Sequence, residues 1–301
     1  MSHPCPSPAP EAAPETSAHS IFFDSPAELA AYLRYDRLAR TGPLLLAVRA
    51  GCHPHQPWPG SALESARNVL ATRPRTMVEI TLRTTADGTC VVLHDDVLGG
   101  STTGFGRLGE LPAEVVLDQR LLDGYGAATP YRIREAGDFL AWAVRAGAVL
   151  WLDGRDVAPD VVVDLVREHR AEAQVVVAAH GRAALSAYRR LAPELVYFVP
   201  AHPDGPATAD EICREAPDLD RVIGCAGAYY PDPEITRCLH GWNAPTRLDL
   251  TRYDAPLYDD ELDPHLYRRA VETGSRILAT THYREVADLL GLTGWAPPGR
   301  S

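Results

Sequence analysis

Residues 78–96 read VEITLRTTADGTCVVLHDD and contain two strand-like runs joined by a turn. Asp87-Gly88 is a dipeptide typical of tight turns between strands, and the runs on either side of it are rich in valine, isoleucine and leucine. The turn is expected to bring both strand ends, and with them Glu79 and His94, to one face of the fold. An acid and an imidazole so placed resemble half of a metal site, although Thr81 stands where a second carboxylate is expected.

The same kind of strand recurs along the chain and alternates with amphipathic segments, a pattern typical of parallel strands with crossover helices. It predicts a single (β/α)8 TIM barrel over residues 21–292, with an open doubly wound sheet as the alternative. Nine segments compete for eight strand positions, and RVIGCA is the suspected extra one. The nine are PLLLAVR (43–49), MVEITL (77–82), CVVLH (90–94), AVLWLD (148–153), QVVVAAH (174–180), LVYFVP (195–200), RVIGCA (221–226), TRLDL (246–250) and RILAT (276–280).

The two ends of the chain are predicted to be tails. Residues 1–20 are rich in proline, alanine and serine, which predicts disorder, and they lack the basic and apolar regions of a secretory signal. Residues 293–301 form a second short tail. No apolar run is long enough to span a membrane, and the six cysteines include no close pair. A soluble protein of the reducing cytoplasm is therefore expected.

Composition excludes several classes of function. The formal net charge is −11 and no basic run occurs, so a nucleic-acid partner is not expected. All 29 residues in the lysine-plus-arginine count are arginine. Schiff-base enzymes and Walker-type phosphate loops need a lysine and are excluded. The glycine-rich stretch GGSTTGFG (99–106) is therefore interpreted as an irregular hairpin.

Reactive side chains lie at or just beyond the ends of different predicted strands. Barrel enzymes place their chemistry at the carboxyl ends of the strands, so this repetition favours the barrel over an open sheet. The residues concerned are Arg49, Glu79, His94, Asp153, His180, Asp249 and Thr280.

Taken in order, these motifs resemble the glycerophosphodiester phosphodiesterase family. LLLAVRAG is similar to the family's His-Arg-Gly strand, PGSALESA to its Pro-Glu-Asn-Thr helix start, VEITL to its Glu-x-Asp strand, and ADGTCVVLHDD to its turn and His-Asp strand. STTGFG, TPYRIREAG, VLWLDGR and GSRILATTH resemble later family segments. The resemblance covers residues 43–155 best and is weak between 195 and 270.

The resemblance implies a TIM barrel enzyme that cleaves a small phosphodiester with a divalent metal, Mg²⁺ or Ca²⁺, and two histidines. By position it implies that His94 is a catalytic histidine and that Glu79 and Asp153 are metal ligands. It also implies that Arg49 binds the phosphate and that Arg155 stands where a lysine is usual.

Three positions depart from the family pattern. Val48 stands in place of the other catalytic histidine, Thr81 in place of a metal carboxylate and Ser61 in place of an asparagine. A positioned acid or base contributes about 10² to 10⁴ in rate, so the loss at Val48 is serious. His53 and His55, in the loop after Arg49, are candidate replacements, and solvated loop histidines are the alternative.

Other noticeable side chains have plainer explanations. Asp95 could orient His94, although strand alternation would turn it to the opposite face. His180 and His282 are interpreted as hydrogen-bonded structural histidines more readily than as ligands. The aromatic residues Trp58 and Tyr229-Tyr230 could line a substrate site, but packing is the simpler interpretation.

Three functions remain open from the sequence. The first is a phosphodiesterase with an altered site that cleaves or rearranges a phosphodiester of a small alcohol, with His94 as acid or base, Arg49 and Arg155 on the phosphate, and a metal site weakened by Thr81. The second is an inactive barrel that binds a phosphorylated ligand or a protein. The third is a metal-free barrel enzyme acting on an unrelated small molecule. The oligomeric state is left open.

Overall fold

Eight parallel strands form a closed barrel in the computed structural model, which describes residues 17, 19–35, 42–52, 56–73, 75–199, 219–228, 230–254 and 263–292. In chain order the barrel strands are β1 (Leu44–Ala47), β2 (Thr76–Thr84), β8 (Leu150–Asp153), β9 (Val175–Ala178), β10 (Val196–Val199), β11 (Val222–Ala228), β12 (Thr246–Asp249) and β13 (Ile277–Thr280). Each pairs in parallel with the next, and β1 closes the ring because it pairs with both β2 and β13. The (β/α)8 prediction is confirmed.

The prediction that RVIGCA is the extra strand is wrong. RVIGCA forms barrel strand β11, whereas CVVLH contributes β3 (Cys90–Val92), which pairs antiparallel with the end of β2. Asp87-Gly88 is the reason, because a turn this short joins only antiparallel strands and a parallel neighbour needs a long crossover. Gly88 has φ 87°, the positive backbone angle that such a turn requires.

Short hairpins and helices fill the connections. β4 (Val97–Leu98) pairs with β5 (Gly106–Arg107), so GGSTTGFG is the predicted hairpin loop, and β6 (Arg120–Leu122) pairs with β7 (Ala128–Arg132). The helices are α1 (Pro26–Leu33), α2 (Leu63–Thr72), α3 (Ala113–Leu117), α4 (Ala136–Ala146), α5 (Pro159–Glu168), α6 (Arg182–Leu191), α7 (Pro233–Gly241), α8 (Thr251–Asp254), α9 (Pro264–Glu272) and α10 (Tyr283–Leu289).

Apolar side chains pack on both sides of the barrel wall. The larger core lies between the strands and the outer helices and includes Ile80, Leu152 and Leu248. A second cluster fills the lumen, where Trp151 and Phe198 are the bulkiest members. Helix α1 adds Leu29 and Leu33 to this lumen cluster, while the reactive side chains occupy the carboxyl ends of the strands. The lumen is therefore a packed interior with one polar end.

The predicted tails fall mostly outside the described part of the chain. Residues 1–16 and 293–301 are not described, and neither is residue 18. The main-chain N–H of Ile21 donates to the carbonyl of Gly147 at 2.8 Å, which ties the start of the predicted domain to the barrel. None of the described helices is long and apolar enough to cross a membrane.

Candidate active site

Strand alternation decides which side chains reach the barrel mouth. In β2, Ile80 packs in the outer core and Met77 in the lumen, so Glu79 and Thr81 also turn inward. Thr81 is paired in register with Asp153 of β8, and both residues are buried. These inward polar groups lie one step beyond the apolar filling of the lumen, at its carboxyl end.

His94 reaches this mouth because β3 folds back along β2. Its ring Nδ1 lies 3.4 Å from the hydroxyl of Thr81. Its main-chain N–H donates to Ser61 Oγ at 3.1 Å, and its carbonyl accepts from Arg83 Nη2 at 2.6 Å. The hydroxyl of Thr81 therefore faces the Nδ1 side of the imidazole.

The electrostatic surroundings of His94 favour a neutral imidazole. Burial is the main cause that lowers its pKa, and the positive charge of Arg49 lowers it further. Arg155 and Arg83 act in the same direction, whereas Asp95 opposes them. A neutral imidazole at pH 7 can accept a proton.

Arg49 lies in a strained turn directly after β1. Arg49, Ala50 and Gly51 all have positive φ, at 51°, 59° and 82°. The carbonyl of Arg49 accepts from the main-chain N–H of Ser61 at 3.1 Å, and Ser61 itself has φ 62°. Asparagine tolerates this left-handed conformation better than serine does, and asparagine is the residue that the resemblance leads one to expect here. The exposed side chain of Arg49 lies on the same side of the barrel as His94.

Asp153 is bound by two cationic or hydrogen-bonding side chains. Arg155 donates from Nε to both carboxylate oxygens at 3.2 Å and from Nη2 to Oδ2 at 2.5 Å. His180 Nε2 lies 2.8 Å from Oδ1. Burial alone would raise the pKa of Asp153, but the hydrogen bonds from His180 and Arg155 bring it well below its usual value. The carboxylate is thus ionised and fully engaged.

Arg247 is a site residue that the sequence analysis missed. Its guanidinium carbon lies 5.0 Å from the ring centre of Phe198 and 5.6 Å from that of Trp151. Its Nη2 lies 3.0 Å from Asp249 Oδ2 and 3.6 Å from Glu79 Oε2, and its Nε has no partner among the described residues. The available signal was alternation in TRLDL, because Arg247 and Asp249 are two residues apart and share a face.

The surroundings of Glu79 raise the pKa of its carboxyl group. Burial is the largest cause that raises its pKa to about 7, against the opposing attraction of Arg247. The carboxylates of Asp153 and Asp249 raise it as well. The side chain is only 13% exposed.

The residues assigned to a divalent metal do not fit one in this arrangement. Both oxygens of Asp153 are bound by Arg155 and His180, and Glu79 is paired with Arg247. No group of three or more histidine, cysteine, aspartate or glutamate side chains within the described ranges is placed to hold an ion. Hard cations need about six oxygen ligands, so Asp153 would first have to release its partners.

The remaining candidates lie in several places. His53 and His55 lie outside the described residues, as does Tyr229. Val48 packs in the lumen cluster. Asp95 accepts from Ser101 Oγ at 2.9 Å.

Two of the simpler interpretations agree with the contacts. The main-chain N–H of His282 donates to Thr280 Oγ1 at 2.9 Å, and its ring Nδ1 lies 3.0 Å from Thr281 Oγ1. Trp58 stacks on Tyr131 with ring centres 6.2 Å apart. These side chains contribute to packing and local structure around the mouth.

Several glycerophosphodiester phosphodiesterases of known structure are similar to this chain. A glycerophosphoryl diester phosphodiesterase from Parabacteroides distasonis superposes with a TM-score of 0.80 at 21% identity, over 94% of this chain and 96% of that one. The chain has the fold of the glycerophosphodiester phosphodiesterases. A putative glycerophosphoryl diester phosphodiesterase from Silicibacter pomeroyi matches at 0.68 and 19% identity, over 90% and 99% of the two chains.

A third match carries a bound product. An Oleispira antarctica phosphodiesterase in complex with sn-glycerol-3-phosphate matches at 0.64 and 15% identity, over 83% of this chain and 97% of that one. No family model and no curated protein sequence matches the chain. At these identities the glycerophosphodiester phosphodiesterase likeness establishes the fold, and the resemblance read from the motifs is confirmed at that level.

Proposed function

We propose that the barrel mouth binds the phosphate of a small phosphodiester and cleaves or rearranges it with His94 as acid or base. The observation that carries this proposal is the position of His94, whose ring is oriented by Thr81 and whose pKa is lowered by burial and by Arg49. A neutral imidazole next to an exposed arginine is suited to take a proton from a hydroxyl that attacks phosphorus. The Oleispira antarctica phosphodiesterase binds the product sn-glycerol-3-phosphate, a phosphate monoester of a small alcohol such as cleavage of a phosphodiester would leave.

Arginine side chains would provide the phosphate ligands. Arg49 is exposed at the mouth, and Arg155 is fixed there by Asp153 through Nε and Nη2, so that Nη1 remains for a ligand. A guanidinium already held by a carboxylate loses less side-chain entropy when it binds a second anion. Arginine also matches the geometry of phosphate oxygens by paired hydrogen bonds.

The proposed reaction does not depend on a metal. Arg155 and Arg247 pair with the two carboxylates that the resemblance assigns to the ion, and they bring positive charge into the same part of the mouth. His94 would accept the proton of the attacking hydroxyl as the new P–O bond forms. The bond between phosphorus and the leaving alcohol then breaks, and the imidazolium of His94 gives the proton to the oxygen of that alcohol. The expectation of a weak Mg²⁺ or Ca²⁺ site stays a prediction for direct test.

Hydrolysis of bis-p-nitrophenyl phosphate tests the proposal. Turnover is expected in EDTA, with a loss of about 10² or more in His94→Gln, the size of effect typical of a positioned proton carrier. His265→Gln, an exposed histidine on α9, is the matched control and should retain wild-type turnover. Turnover that requires added Mg²⁺ or Ca²⁺ would refute the metal-free form of the proposal. Turnover that survives in His94→Gln would refute the role of His94.

A barrel that binds phosphate without cleaving it is the second candidate. The packing of Val48 in the apolar lumen favours it, because that position offers no proton carrier. This function predicts no turnover under any metal condition, together with thermal stabilisation by inorganic phosphate that disappears in Arg49→Ala. The same protein samples therefore distinguish the two functions.

A further inference from the structure

A pocket of about 340 Å³ opens beside the mouth, between the loop after β8 and helix α6. Arg155 and His180, the two partners of Asp153, line it on one side. The rest of its wall is mainly apolar and includes Val157, Pro159, Ala183, Ala184, Ala187 and Tyr188. The pocket therefore joins a polar edge at the proposed phosphate site to an apolar interior.

Small side chains on α6 keep this space open. Three alanines lie on one face of this helix, because Ala187 is four residues after Ala183 and three residues after Ala184. The loop on the opposite side begins with Gly154, where an added Cβ would lie 3.1 Å from Val162 and 3.6 Å from the hydroxyl of Tyr188. Larger residues at these positions would fill the pocket.

The hydroxyl of Tyr188 gives the pocket a polar group at its inner end. The residue is 1% exposed and lines the pocket, where its hydroxyl can donate or accept a hydrogen bond. Small-molecule sites combine an apolar wall with a few polar groups, so this hydroxyl is suited to bind a polar atom of a ligand. The ligand atom would lie close to Gly154, the residue after Asp153.

The pocket volume limits the size of the occupant. A dry protein cavity of about 150 Å³ accommodates benzene, so this pocket has room for about one substituted ring or a short branched chain. It lies at the lower end of the range for small-molecule sites, and its mixture of apolar wall and few polar groups is typical of them. A long lipid tail would not be enclosed.

We propose that this pocket binds the compact apolar or aromatic alcohol portion of a phosphate ester whose phosphate is bound at the mouth, an inference that rests on the proposed function. Arg155 lies at the boundary between the two parts, and Tyr188 would donate to a polar atom of the ligand within the pocket. The preferred substrates are then phosphodiesters of an apolar alcohol, in preference to those of a polyol.

Calorimetric titration of the full chain with methyl phosphate, phenyl phosphate and inorganic phosphate tests the inference. Phenyl phosphate should bind more tightly than methyl phosphate, by a factor of about ten or more, because a ring buries more apolar surface. Ala187→Leu should close this gap and leave the affinity for inorganic phosphate unchanged. Ser186→Leu, on the exposed face of the same helix, is the matched control and should keep the gap.

Equal affinities of wild-type protein for phenyl and methyl phosphate would overturn the inference, and so would a gap that persists in Ala187→Leu. Ala183→Leu at the exposed start of α6 is the second filling variant if Ala187→Leu does not give the circular dichroism spectrum of the folded protein. If no phosphate compound binds, the proposed function fails, and titration with benzyl alcohol then decides about the pocket alone. Binding that is lost in the filling variant supports the pocket, and absence of binding overturns it.

Discussion

Replacement of Glu79 by glutamine should change how stability depends on pH. The folded state raises the pKa of this carboxyl from 4.5 to about 7, mainly by burial. Between these values the folded chain binds more protons than the unfolded chain, so the free energy of unfolding falls as the pH rises. The retained proton of Glu79 contributes about 3 kcal/mol to the free energy of unfolding. This contribution is complete below pH 4.5 and is lost above pH 7. The 13% exposure of the side chain leaves little solvent screening.

Urea denaturation of wild type and Glu79→Gln at pH 4.5 and pH 8.5, in EDTA, measures this effect. The neutral amide does not titrate, so the variant should gain about 3 kcal/mol relative to wild type between the two pH values. Glu114→Gln on the exposed side of α3 is the matched control and should show little change. The raised pKa of Glu79 would be refuted if wild type and Glu79→Gln differed by the same free energy of unfolding at both pH values.

Three further variants test the site and its support. Arg247→Met should cost about 2 to 4 kcal/mol at pH 8.5 and less at pH 5, where Glu79 is protonated and needs no partner; equal losses at both values in urea melts would contradict the pairing. Asp153→Asn should lower the free energy of unfolding by about 2 kcal/mol at pH 7. The loss should shrink as the pH falls below 3.8, because a carboxylate with a lowered pKa stabilises the fold only while it is ionised. A loss that does not depend on pH in urea melts would argue against the ion pair. Gly51→Ala should lose about 1 to 2 kcal/mol more than Gly88→Ala, since both have positive φ but only the first places its Cβ 2.3 Å from Val69; equal melting temperatures would exclude the clash.

The overall architecture could be predicted from local patterns. Strand and helix periodicity depends on neighbouring residues, and it gave the order of elements and the barrel. The resemblance of ordered motifs then assigned Glu79, His94 and Asp153 to the mouth, where alternation along β2 and the partners of Asp153 place them.

The one wrong strand assignment also had a local cause. A nine-residue β2 and the turn at Asp87-Gly88 leave β3 antiparallel, so the apolar content of CVVLH was a poorer guide than the length of its connection. RVIGCA, the suspected extra strand, is a barrel strand because it pairs in parallel with both β10 and β12.

The sequence by itself determined that polar residues end successive strands of a (β/α)8 barrel, because that pattern depends on neighbours along the chain. Only the tertiary structure decided that Arg155 binds Asp153, that Arg247 reaches Glu79 across the lumen, and that Thr81 faces His94. Such contacts join strands far apart in sequence, and they depend on register and on which side chains fill the interior. For that reason the same residues that resemble a metal site in order form ion pairs and an oriented imidazole in space.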